Sequence, residues 1–258
     1  MKKLLPLATA AIALALPGAS HGQVTIGFLN TMTGAAAPIG ENLCIAPRFT
    51  GWDVDGGYAE YVVADEAYQK GAADYRSTLT KMKASNPDLV FMVSYVADAI
   101  LLMRQSREVG LKPQAFLGGG AGFDTVQFQS EKDISTNVFT VTQWTPESSK
   151  PATEFADRYK AKYGKKPTYH AACAYAAMMI VGEVAAKAGG DREKIRQALD
   201  TGSWTGIMGD VKFVDYEGFT NQNQLVMPVV QYQGGQSVTV YPAKIAKAKA
   251  VYPFPGWK

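Results

Sequence analysis

The feature that most limits what this chain can fold into is the alternation of helix and strand patterns between residues 70 and 141. Residues 74–85 (DYRSTLTKMKAS) set Leu79 and Met82 at helical spacing, with Asp74 as the candidate N-cap, and Asn86-Pro87-Asp88 ends the pattern. Residues 89–93 (LVFMV) are a short, fully apolar run of strand length. Residues 97–109 (ADAILLMRQSREV) read as an amphipathic helix stopped by Gly110. Phe116 and Leu117 mark a strand that runs into the glycine-rich stretch 118–122 (GGGAG), and residues 138–141 (VFTV) mark the next strand. Helices alternating with short apolar strands predict an α/β fold, with a parallel sheet flanked by helices.

The flanking segments extend this reading. Residues 23–30 (QVTIGFLN) predict a strand buried on both faces, as the centre of a parallel sheet requires. The loop that follows, residues 31–40 (TMTGAAAPIG), is rich in hydroxyls and glycine, and the end of a strand is where open α/β sheets place ligands. Residues 57–64 alternate as a strand after the turn Asp55-Gly56-Gly57. No helix pattern separates this strand from the first one, and residues 41–68 are expected to be poorly packed, as a stray hairpin. Downstream, helices are predicted at 150–163, 169–187 and 191–200. Strands are predicted at 209–214 and 226–232, with the turn 233–236 leading to a last strand at 237–241.

Composition narrows the functional classes. The net charge is only +3 and no dense Lys/Arg run occurs, which argues against nucleic acid as a partner. Residues 1–22 show a basic start at Lys2 and Lys3, an apolar run from Leu4 to Leu16 and a small-residue end, the plan of a secretory signal peptide. Export to the periplasm is therefore expected. Of the two cysteines, Cys173 lies in an apolar helix pattern and reads as a buried, inert thiol; Cys44 lies far away in sequence. Only His21 and His170 are present, and the first leaves with the signal peptide, so no Ser-His-Asp set is assembled from this sequence. The stretch 118–122 lacks the spacing of a dinucleotide loop. No cofactor, no metal and no enzymatic activity are expected.

The block KGAADYRSTLTKMKASNPDLVFMVSYVADAILLMRQSREVGLKPQAFLGGGAGF resembles the second lobe of the type I periplasmic solute-binding proteins of ABC transporters. Within that family it is similar to the branched-chain amino-acid and amide receptors, of leucine-binding-protein type. The matching residues include Gly71, Asp74, Leu79, Met82, Lys83, Asn86, Pro87, Asp88, Arg104, Gln105, Arg107, Gly110, Leu111 and Lys112. QVTIGFLNTMTGAAAPIGEN looks like the mature start of the same family. The resemblance implies two lobes, each a parallel sheet flanked by helices, closing on a small solute such as an amino acid, an amide or a small organic acid. It also implies membrane permease subunits as partners. Carried onto this sequence, the ligand-binding positions are Thr33 and Gly34 after the first strand, Ser94 and Tyr95 after residues 89–93, Gly120, Ala121 and Phe123 in and after the glycine stretch, and Tyr169. Hydroxyls and loop N–H groups there would hold a carboxylate. Tyr95, Phe123 and Tyr169 would wall an apolar side chain. Asp124 follows just beyond a glycine stretch that carries no acid of its own.

Residues 41–68 (ENLCIAPRFTGWDVDGGYAEYVVADEAY) instead resemble part of a zinc-dependent alcohol dehydrogenase. Cys44 matches one cysteine of that family's four-cysteine zinc lobe and the other three are absent, so no closed zinc site follows. The expected organisation is a signal peptide at 1–22, the first strand and loop of lobe one at 23–40, the dehydrogenase-like segment at 41–68, and a leucine-binding-protein-like region at 69–258. That last region is mostly lobe two, with lobe-one helices at about 145–200. Lobe one is largely incomplete on this reading, and the strand at 23–30 is expected to lack sheet neighbours. The expected function is solute binding impaired by truncation. The alternatives are a dehydrogenase-like fragment or a fusion with no function.

Overall fold

The computed structural model describes residues 24–31, 61–119, 122–216, 218–223, 225 and 227–257. The signal-peptide segment, Thr33, Gly34, Cys44, Gly120 and Ala121 lie outside the described residues.

A seven-stranded sheet organises the chain. Its parallel part consists of β1 (Val24–Thr31), β2 (Tyr61–Tyr68), β3 (Leu89–Val93), β4 (Ala115–Gly119) and β5 (Phe139–Val141). The hairpin of β9 (Val229–Gln233) and β10 (Gln236–Tyr241) extends it antiparallel to β5, giving the order β10-β9-β5-β4-β3-β1-β2. The parallel portion therefore runs 2-1-3-4-5, the order of a doubly wound sheet.

Two expectations are corrected here. Residues 61–68 do not stand apart as a stray hairpin: β2 runs parallel to β1 from Val24↔Tyr61 to Thr31↔Tyr68. Nor does β1 lack neighbours, because its other edge pairs with β3 from Ile26↔Leu89 to Leu29↔Met92. β2 overlaps the 57–64 pattern at residues 61–64; residues 57–60 lie outside the described residues. Tyr68 at its end is 5 % exposed and belongs to the main core, so this end of the segment is packed rather than loose.

Helices α1 (Arg76–Ala84) and α2 (Val96–Glu108) match the periodicity closely and bury Leu79, Met82, Ala99, Leu102 and Met103. Asp74 does not cap α1 as a true N-cap; Tyr75 holds that position, while Asp74 Oδ1 accepts the Arg76 N–H at 2.9 Å. The approach of the chain to α1 is tied down by Asp98, a carboxylate buried in the first turn of α2. Its Oδ1 accepts the Tyr75 hydroxyl at 2.8 Å and the Gly71 N–H at 3.0 Å. A buried acid needs such donors to be tolerated. Two short helices that periodicity does not reveal, α3 (Val126–Ser130) and α4 (Lys132–Ser135), connect β4 to β5.

A second, thinner body follows. Helix α5 (Lys150–Tyr163) has Ser149 as its N-cap and ends at Gly164 in the left-handed conformation, with φ 70°. Helices α6 (Tyr169–Ala188) and α7 (Arg192–Thr201) are joined by Gly189 and Gly190, and Asp191 caps α7 by accepting the Glu193 and Lys194 N–H groups. A three-stranded antiparallel sheet of β6 (Ser203–Gly206), β7 (Gly209–Tyr216) and β8 (Phe219–Asn223) completes it. Its core is small: Trp144, Ala152, Phe155, Ala156, Ala172 and Ile207. The C-terminal tail returns to the main sheet, where Phe254 and Trp257 pack on Phe116 and the Trp257 indole N–H donates to the Leu111 carbonyl at 3.1 Å.

Leu79 has no exposed surface and sits in the centre of the main core. Leu79→Ala is expected to cost about 2–5 kcal/mol by cavity formation, read as a lowered urea midpoint with an unchanged slope.

Candidate functional site

Three adjacent parallel strands, β3, β4 and β5, end on the same edge, where an open α/β sheet places its ligands. The loop after β4 meets the end of β3 there. The Gly122 N–H donates to the Ser94 carbonyl at 3.0 Å. A side chain at 122 would put its Cβ 2.3 Å from that same oxygen and 2.7 Å from the Tyr95 carbonyl carbon, so only glycine fits. Phe123 then turns into the core. Its ring lies edge-on to Phe128 with centroids 4.9 Å apart, in space left free by Gly118, where a Cβ would fall 2.2 Å from the Phe123 ring. Its carbonyl accepts the Tyr232 hydroxyl at 2.5 Å.

Asp124 is thereby set at the edge of the sheet. It lines two adjoining cavities, together with Thr125, Val126 and Thr168. One cavity is completed by residues including Thr142, Trp144, Thr145, Glu147, Lys166, Tyr169, Tyr232 and Thr239, the other by residues including Val96, Lys165 and His170. The result is a cleft with many hydroxyls and an aromatic wall. Thr125 also caps α3 by accepting the Phe128 N–H at 3.1 Å. Thr142 Oγ1 donates to the Trp144 carbonyl at 3.1 Å, and Thr239 donates to Glu147 Oε2 at 2.9 Å.

The carboxyl of Asp124 is the electrostatic focus. Its Oδ2 is fully enclosed and has no hydrogen-bond partner. Burial raises its pKa above the ordinary carboxylate value of 3.8, opposed by the Thr142 hydroxyl and by His170. Burial also pushes the Tyr169 phenol up to about 12, with Asp124 and Cys173 adding to the effect.

Of the described residues predicted for the site, Tyr169 alone lines this cleft. Phe123 does not wall it: with 1 % exposure its ring is core, and it acts by setting where Asp124 falls. Ser94 is 1 % exposed and lies beneath the loop, its Oγ enclosed and without a partner. Tyr95 begins α2, and the Lys70 ammonium lies 4.2 Å from its ring centroid. Cys173 is half-buried rather than buried, and its thiol donates to Gln143 Oε1 at 3.4 Å. Sequence reasoning did not assign Thr125, Thr142, Lys166 or Tyr232 to the site. The signal for Asp124 was its place just beyond the glycine stretch, after Phe123. Among the described residues no group of three or more His, Cys, Asp or Glu could hold a metal ion.

A family profile described as periplasmic binding protein matches residues 54–236. The chain belongs to that family. Leu/Ile/Val-binding protein homolog 8 of Brucella melitensis is 34 % identical over 202 residues, covering 73 % of this chain and 49 % of that protein. Homolog 7 from the same organism is 31 % identical over 198 residues, covering 70 % of this chain and 48 % of the relative. The chain thus spans about half the length of the curated relatives it matches. Among solved structures, the leucine-binding protein LivK of Thermotoga maritima superposes with a TM-score of 0.69 at 23 % identity, covering 83 % of this chain and 59 % of that one. A solute-binding protein of an ABC transporter from R. palustris, in complex with benzoate, superposes at 0.67 with 15 % identity, covering 89 % and 61 %. These likenesses show the α/β fold of a type I periplasmic binding protein. The profile match begins at residue 54, so it takes in the second half of the segment resembling alcohol dehydrogenase, β2 included. The comparisons do not support the dehydrogenase fragment expected at residues 41–68.

Two outcomes are expected. Gly122→Ala forces the loop away from Ser94 and lowers stability by about 1–3 kcal/mol, visible as a reduced melting temperature and a changed near-ultraviolet circular dichroism from the Phe123–Tyr232 cluster. For Asp124, the folded-state pKa is raised, so its contribution to stability is fully present below pH 3.8 and is lost as pH rises through the raised value. Asp124→Asn is expected to remove that loss, measured by urea unfolding across the acidic range.

Proposed function

We infer that this chain acts outside the cytoplasm, in the periplasm, as the substrate-binding component of an ABC transporter. Its solutes are branched-chain amino acids, amides or related small organic acids, which it delivers to membrane permease subunits. It binds rather than transforms its ligand. The observation that carries the reading is the cleft at the carboxyl ends of β4 and β5, where hydroxyls of Thr125, Thr142 and Thr168 face the Tyr169 ring and one buried carboxyl. Such a site can fix a small polar head and cover an apolar body. Family membership supports it, as do the names of the relatives, which are Leu/Ile/Val-binding proteins, and the solved neighbours crystallised with isoleucine and with benzoate.

The cleft joins the edge of the main sheet to residues leading into α6, and the chain spans about half the length of its curated relatives. In two-lobed receptors hinge closure brings a second wall onto the ligand, and that wall contributes much of the buried area. The expected affinity is therefore weaker than micromolar, that is, less than about 8 kcal/mol of binding free energy. Nuclear magnetic resonance titration with leucine, isoleucine and benzoate tests this. Saturable shifts confined to Asp124–Val126, Thr142 and Thr168–His170 support solute capture by this cleft. Micromolar or tighter binding overturns the impairment, and no saturable shift with any of the three overturns solute capture itself.

A further inference from the structure

Helix α6 carries an apolar face that the fold leaves open. Residues 171–182 (AACAYAAMMIVG) contain no charged side chain, and along the whole helix only Ala172 and Val184 are buried. Met178 is 70 % exposed and Met179 57 %, and Ala174, Tyr175, Val181 and Gly182 are exposed beside them. The outer face of a helix in water normally carries charge. Through Tyr175 the apolar surface continues onto α5. The Tyr175 and Phe155 ring centroids are 4.8 Å apart, and Phe155 leads by way of Tyr159 to Tyr163, which is itself exposed. Single apolar residues on a surface need no explanation, whereas a contiguous apolar face marks an interaction site.

We propose that this face pairs with the same face of a second copy of the chain, the two α6 helices crossing antiparallel at Met178. The pattern along the helix is what selects a second copy. Ala174, Met178 and Gly182 are spaced by four, so they stack along one side of α6, and all three are exposed. The most exposed large apolar side chain therefore sits between two small residues, one turn away in each direction. A Cβ at Gly182 would meet nothing within 4 Å, so the surface there is open. A two-fold axis through Met178 sets Ala174 of one copy opposite Gly182 of the other, and each thioether enters a recess left by a small residue. A two-fold interface requires this kind of self-complementarity. Antiparallel packing also brings each helix N-terminus toward the other helix's C-terminus, a favourable arrangement of dipoles. A net charge of +3 per chain opposes the pairing only weakly. Area sets the strength. From Ala174 to Ala186, α6 runs about 18 Å with a diameter of about 10–12 Å, and half of that lateral surface is on the order of 300 Å². Two copies bury about twice that through α6, and the adjoining α5 aromatics carry the total toward the roughly 1,000 Å² of a weak but specific interface.

Sedimentation velocity of the full chain at rising concentration tests the pairing, independently of solute capture. The expected result is a monomer–dimer equilibrium with a dissociation constant of about 10–100 μM. No larger species should form, because a two-fold contact closes on itself. Met178→Glu places a charge at the axis and is expected to weaken the dimer at least about tenfold. Met178 is already exposed, so the melting temperature of the monomer should not change. Phe219→Glu, on exposed β8, should leave the dimer as it was. Gly182→Leu separates a shaped crossing from mere stickiness: it adds apolar surface, yet it should weaken the dimer by holding the helices apart. A chain that stays monomeric at every concentration, open-ended aggregation, a dimer that M178E leaves intact, or one that G182L strengthens overturns the inference. So does binding to vesicles of phosphatidylglycerol and phosphatidylethanolamine that M178E abolishes while no dimer forms, since the face would then dock on a membrane.

Discussion

The close contact between Gly122 and the end of β3 governs what the rest of the site can be. The Gly122 N–H reaches the Ser94 carbonyl, and a Cβ at that point would overlap it. Once that contact is made, the chain direction is settled for the next two residues. Phe123 enters the core over Gly118, and the Tyr232 hydroxyl holds its carbonyl. Asp124 must then face the opposite way, onto the cleft. The enclosure of its Oδ2 is a consequence of this placement. Core packing fixes where the residue sits, and the loop offers no second donor to its Oδ2.

That contact itself depends on the order of the sheet. β3 stands between β1 and β4, and β1 is held on its far side by β2. An uninterrupted parallel ladder from β2 to β5 aligns the carboxyl ends of β3, β4 and β5, and the loops that leave them can then meet. The thinner body is built differently. Along α6 only Ala172 and Val184 are buried, while Tyr175, Met178, Met179 and Val181 are exposed, although the helix is apolar over most of its length. A soluble helix normally turns such a stripe toward a core. Among the described residues little covers it, so the stability of the chain is concentrated in the main sheet.

Much of this was legible in the sequence where a pattern had room to repeat. The apolar run LVFMV coincides with β3, residues 150–163 coincide with α5, and the Gly234-Gly235 turn sits between β9 and β10 as its residues predict. Both glycines there have positive φ, at 57° and 76°. The misses share a physical origin. α3 and α4 have five and four residues, too few for a helical period to show. β6 and β8 bury no residue fully and so carry no apolar alternation. The partnership of β1 with β2 and β3 is set by hydrogen bonds across long sequence separations, which no local pattern encodes. Phe123 has the composition of a ligand wall, and it is the two small neighbours Gly118 and Gly122 that send its ring inward instead.

The same division explains why the site's chemistry was harder to read than its location. The edge of the sheet follows from topology, and topology follows from the strand pattern. The state of a carboxyl follows from what surrounds it within a few ångströms, and those surroundings come from β5, β9 and the start of α6, all distant in sequence. Thr142, Tyr169 and Tyr232 are unremarkable apart from one another. Brought around Asp124 they bury its carboxyl and raise its pKa above the ordinary value. Desolvation raises the cost of charge on that carboxyl, and the Thr142 hydroxyl and His170 offset part of it. Orientation and specificity in such a cleft come from a few placed polar groups, and enclosed area alone does not set affinity.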